Sequence, residues 1–128
     1  QVRRRPYSVV LFDEMLPARQ LTTLYDQLDV GFDLVFSRQL IAHGRRTDVA
    51  MGFSTSGNSE NLMRAFAEAR KQGMLTVGIA GTDGGRMAAE GSPVEQCFVV
   101  RSDSVHRIQE SQAALNNALW AAVQGALA

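Results

Sequence analysis

From Asp48 to Met74 the chain reads DVAMGFSTSGNSENLMRAFAEARKQGM, an apolar run joined to an amphipathic run by six small polar residues. Val49 to Phe53 has the length and character of a buried strand, and from Ser59 onward Leu62, Ala65, Phe66 and Ala69 recur at helical spacing. Glu60 suits the positive end of that helix, and Gly73 supplies its stop. A strand that passes so quickly into a helix cannot turn back as a hairpin. It must return through a crossover, and the rest of the chain repeats the alternation. Tyr7 to Phe12 reads as a first strand, followed by a polar, irregular stretch with Pro17 and a helical pattern from about Val30 to His43 that stops at Gly44. LTVGIAG, ending at Gly81, is a third strand; TDGGRMAAEG is a glycine-rich loop with one helical turn; QCFVV is a fourth strand. The last segment, from about Val105, sets Ile108, Leu115, Leu119, Ala122 and Ala126 on one stripe of a long helix. The expected fold is α/β, with three layers and a mostly parallel sheet flanked by helices.

Composition narrows the function classes. With 128 residues, 45% hydrophobic and 20% charged, the chain suits one globular domain over residues 1–128. Its 13 basic and 13 acidic residues cancel, so no global field draws it to nucleic acid, and Arg3-Arg4-Arg5 and Arg45-Arg46 read as solvated surface. Cys97 lies in the apolar run CFVV and reads as a buried, unreactive thiol; one cysteine permits no disulfide within the chain. No apolar stretch approaches the roughly 20 residues that cross a bilayer, which leaves the cytoplasm as the expected location and no membrane as partner. The chain opens QVRRRPYSVVLF, without an initiator Met and only a few residues ahead of a strand, and so reads as an N-terminally incomplete piece.

In parallel sheets, ligands bind beyond the carboxyl ends of the strands, and Ser54 to Ser59 falls there. A helix N-terminus offers unpaired N–H groups and a favourable dipole for an anion. Gly57 allows close approach, and Ser54, Thr55, Ser56 and Ser59 supply rotatable hydroxyl donors, so a phosphate monoester fits. The plainer alternative is that these residues cap the helix, but one cap needs one residue. The stretch lacks the G-x-x-x-x-G-K-[ST] spacing of a nucleotide P-loop, and it is not a G-x-G-x-x-G turn.

GFSTSGNSENLMRAFAEARKQGM, GIAGTDGGRMA and HRIQESQAAL, with the upstream DVGFDLVFSRQLIAHGRRTDVAMG, together resemble the sugar isomerase (SIS) domain family, specifically its phosphoheptose isomerase branch, over roughly Val30 to Leu119. The resemblance implies a five-stranded parallel sheet flanked by helices, of which this chain lacks the first strand. It implies that Ser54, Thr55, Ser56 and Ser59 hold the phosphate of a sugar phosphate, that Gln109 on the last helix faces the substrate, and that Asp13 contacts it. The implied reaction is an aldose–ketose isomerisation, sedoheptulose 7-phosphate to heptose 7-phosphate, which needs a base and an acid, typically Glu and His. The family's Glu lies upstream of everything present, and Asn117 stands where its His would be, so the catalytic residues of this chain stay unassigned. Some relatives hold zinc with His, Glu, Gln and His; of that set only Gln109 is present, so no metal or other cofactor is expected. His43 reads as a solvated helix end and His106 as an exposed neighbour of the substrate-facing region. The family also implies a homo-oligomer. Two functions stay open: a sugar-phosphate isomerase, and a non-catalytic SIS-domain sensor or interaction protein, such as relatives that bind a replication initiator or regulate transcription.

Overall fold

The computed structural model describes residues 9–13 and 34–128. Tyr7, the stretch with Pro17 and the first residues of the helical pattern at Val30 lie outside them. Among the described residues the elements run β1 (Val9–Asp13), α1 (Val35–His43), β2 (Val49–Ser54), α2 (Glu60–Lys71), β3 (Leu75–Gly81), α3 (Gly85–Ala88), β4 (Gln96–Val100) and α4 (Val105–Leu127). The strands form one parallel sheet in the order β1-β2-β3-β4. β1 pairs directly with β2, from Val9 opposite Val49 to Asp13 opposite Phe53. This direct pairing satisfies the facing backbone groups of β1 and β2.

The two faces of β2 and β3 separate by the period of two that strands impose. Ala50 and Ala80 share a core with Phe36 and Leu40 of α1, and with Leu62, Ala65, Phe66 and Ala69 of α2. Phe66 lies over Gly52, where a Cβ would meet its ring, and Met87 and Val94 lie over Gly78 in the same way. Met51, Phe53 and Ile79 form a smaller cluster on the opposite face, joined by Val77. Burial over Ala50–Ser54 is continuous, as a central parallel strand requires.

α2 ends as its sequence anticipates. Gly73 has φ +81°, its N–H donates to the Arg70 carbonyl, and the Met74 N–H reaches back to the Ala69 carbonyl. This is a Schellman closure, which favours glycine at the left-handed position. Cys97 departs from the expectation of burial: it is half-buried, because β4 is an edge strand and most of its residues stay partly open to solvent. α4 departs further. Of its apolar stripe only Ile108 is covered, while Leu115, Leu119, Trp120 and Leu127 are all exposed.

Candidate functional site

Parallel pairing puts the carboxyl ends of the strands at one edge of the sheet, and the Ser54–Ser59 turn leaves that edge. Ser54 is fully buried; its hydroxyl accepts from the Gly57 N–H at 2.9 Å and faces the Ser59 hydroxyl at 3.1 Å. Gly57 turns the chain at φ +72°. Ser56 is exposed and accepts from the Asn58 N–H at 3.1 Å, and Thr55 is half-buried. Ser59 occupies the N-cap of α2, yet its side chain makes no capping hydrogen bond. Instead its hydroxyl faces Ser54, toward the inside of the turn.

A second loop, after β3, interlocks with the first. The Thr82 hydroxyl donates to the Thr55 carbonyl at 3.3 Å, the Arg86 N–H to Asn58 Oδ1 at 2.9 Å, and the Met87 N–H to the Gly57 carbonyl at 3.0 Å. Contact is so close that a Cβ on Gly57 would collide with the Gly84 carbonyl, and one on Gly85 with the Ser56 carbonyl. Gly84 and Gly85 both have positive φ, and so does Thr82 at +59°, a conformation a β-branched residue seldom adopts. The glycines of GFSTSGNSE and GIAGTDGGRMA are therefore two halves of one interface.

Side-chain charge at the mouth is balanced. Glu60 would oppose an anion, but it is held by Arg86 at 2.6 Å and Arg64 at 3.1 Å. The hydrogen bond from Arg86, then that from Arg64, keeps the Glu60 carboxyl below its usual range. Two guanidiniums face Glu60, with Asp83 in the second loop as a further carboxylate, so this exposed corner carries no net negative charge next to the positive end of α2.

The other residues singled out from sequence lie at the same edge or further along α4. The Asp13 backbone ends β1 opposite Phe53, one residue before Ser54 in the register. Gln109 is half-buried on α4, immediately after Ile108, which packs against Gly81. Asn117, His106, Glu110 and His43 are exposed. Among the described residues no group of three or more His, Cys, Asp or Glu is placed to hold a metal ion. No helix among them is long and apolar enough to cross a membrane. Sequence reasoning missed Gln112. It is buried, and its Nε2 donates to the carbonyls of Ser54 at 2.9 Å and Ile79 at 3.1 Å. The available signal was its place on the stripe Ile108, Gln112, Leu115, Leu119, a polar residue where the helix faces inward.

Comparison with known proteins follows from this geometry. The SIS domain family matches residues 6–81. The phosphoheptose isomerase of Sulfurimonas denitrificans is 51% identical over 83 residues, covering 65% of this chain and 41% of that protein. The phosphoheptose isomerase of Rhodospirillum rubrum is 40% identical over 117 residues, covering 88% of this chain and 61% of that protein. The chain thus spans about half the length of the curated relatives it matches. A solved phosphoheptose isomerase from Neisseria gonorrhoeae superposes with a TM-score of 0.69 at 37% identity, covering 80% of this chain and 55% of that one. The fold, the two glycine-containing loops and these matches agree: the chain belongs to the SIS domain family, and within it is similar to the phosphoheptose isomerases.

Proposed function

We propose that this chain is the sugar-phosphate-binding part of an aldose–ketose isomerase that converts sedoheptulose 7-phosphate to heptose 7-phosphate. The observation that carries the reading is Ser59, which stands at the N-cap of α2 without capping it and turns its hydroxyl toward Ser54 instead. Thr55, Ser56 and Ser59, with the N-terminal N–H groups of α2, then surround the phosphate, the buried Ser54 braces Gly57 and Ser59 from behind, and Gln109 and Asp13 contact the sugar. Arg64 and Arg86 balance Glu60, so the incoming dianion meets no net repulsion. The reading assigns no role to a metal. A cytoplasmic location fits the single Cys97, whose thiol pKa is pushed up by desolvation and which is therefore held in its unreactive form.

Replacing Ser56 or Ser59 by Ala removes a hydrogen bond to a charged group, so the Kd for sedoheptulose 7-phosphate should rise about 10- to 150-fold. Calorimetry checks this. An unchanged Kd in both variants would leave the turn with no ligand-binding role.

The same reading includes self-association. Leu115 and Leu119 on the stripe of α4, and Trp120 and Leu127 outside it, are each at least 40% exposed, more apolar surface than one face of the helix carries and of the kind that marks a protein contact. Sedimentation at micromolar concentration should find a dimer or larger assembly, converted to monomer by Leu119→Asp with Trp120→Asp. Wild-type chain sedimenting only as monomer would contradict it.

A further inference from the structure

A 23-residue helix, α4, is buried against the rest of the described fold at two side chains only, Ile108 and Gln112. Ile108 contributes apolar contact over Gly81. Gln112, 7% exposed, sends its amide to two carbonyls at once, those of Ser54 on β2 and Ile79 on β3. Packing alone would choose a leucine or methionine here, because a buried amide gains little net free energy from its hydrogen bonds. What the amide adds is direction: N–H donors weaken steeply when misaligned, whereas apolar contact tolerates rotation and sliding. One of its two acceptors is the backbone of Ser54, the first residue of the turn proposed to hold phosphate.

We infer that Gln112 is a positioning residue, fixing the rotation and axial register of α4 over the Ser54–Ser59 turn. Gln109 lies three residues upstream, so the two share a face of the helix, and Gln112 sets where the Gln109 amide meets the sugar portion of a ligand whose phosphate occupies the turn. This rests on the sugar-phosphate reading above. The turn keeps its own bonds to Thr82, Arg86 and Met87, so loss of Gln112 acts on the sugar end of the ligand and leaves the phosphate end in place.

The test is calorimetry with two probes, sedoheptulose 7-phosphate and inorganic phosphate, on wild type, Gln112→Met, Gln109→Ala and the double variant. Gln112→Asn, which draws the amide back by one methylene, serves as a second variant at the buried position. Expected is a loss of about tenfold in sugar-phosphate affinity for each single variant, with less than about twofold for inorganic phosphate. The double variant should be no weaker than either single one, since Gln109 has nothing left to lose once α4 is unregistered. In the wild type, the Gln112 side-chain amide resonances should shift with the sugar phosphate and stay unmoved by phosphate alone, a readout independent of how the variants fold. Additive losses near a hundredfold in the double variant, equal losses for both probes, or a Gln112 amide indifferent to the sugar phosphate would each overturn the inference while leaving the phosphate site standing. A wild type that binds neither probe would overturn the phosphate reading itself.

Discussion

Incubated alone with sedoheptulose 7-phosphate, the chain is expected to exchange the substrate's C1 proton about 10²–10⁴-fold more slowly than a relative with an imidazole at the position of Asn117. Isomerisation needs a base to take the C1 proton and an acid to protonate the C2 carbonyl oxygen, giving an enediol that is then reprotonated at C2 while its O1 hydroxyl gives up a proton to become the aldehyde carbonyl. An amide can do neither at neutral pH, and Asn117 is exposed on α4. The alternatives within reach of Gln109 are His106 and Glu110, four residues apart on one helix face and both exposed. Proton exchange followed by NMR decides the matter: exchange at a rate typical of an isomerase, abolished by His106→Ala or Glu110→Ala, would show a different catalytic pair at work and contradict the expectation.

Gly57→Ala should damage both stability and binding. At φ +72° an L-residue costs about 1–2 kcal/mol, and the new Cβ would collide with a backbone carbonyl, that of Gly84, which cannot rotate away as a side chain could. Together these amount to about 2–4 kcal/mol, readable as a lower urea midpoint with an unchanged slope. Because the collision separates the two glycine-containing loops, phosphate affinity should fall in the same variant even below its unfolding midpoint. A midpoint within error of the wild type would mean that the loops are not interlocked.

Much of this was legible in the sequence, for identifiable reasons. α2 and its end were readable because Leu62, Ala65, Phe66 and Ala69 keep one period and Gly73 meets a backbone requirement that needs no knowledge of neighbours. β2, β3 and β4 were readable as apolar runs bounded by turn residues. The chemistry of Ser54–Ser59 was readable as an excess of hydroxyls over what one cap uses. That Ser59 does not cap was not, because a side-chain rotamer is decided by tertiary contacts. The mutual contact of Gly57 and Gly84 was equally hidden, since residues 27 apart in the chain meet only after the crossover has folded. The stripe on α4 was visible as a stripe, but periodicity says only which face is apolar and nothing about what covers it. Cys97 misled because an apolar run reads the same in an edge strand as in a central one.

The central claim, that a phosphate monoester binds at the Ser54–Ser59 turn, is tested most directly by following backbone amide resonances while sedoheptulose 7-phosphate is added. The account predicts saturable shifts concentrated at the N–H groups of Thr55 to Asn61, with smaller ones at Thr82 to Arg86 in the interlocked loop and at Gln109. Inorganic phosphate should reproduce the first set alone. Saturable shifts elsewhere, with the amides of Thr55 to Asn61 unmoved at saturation, would contradict it.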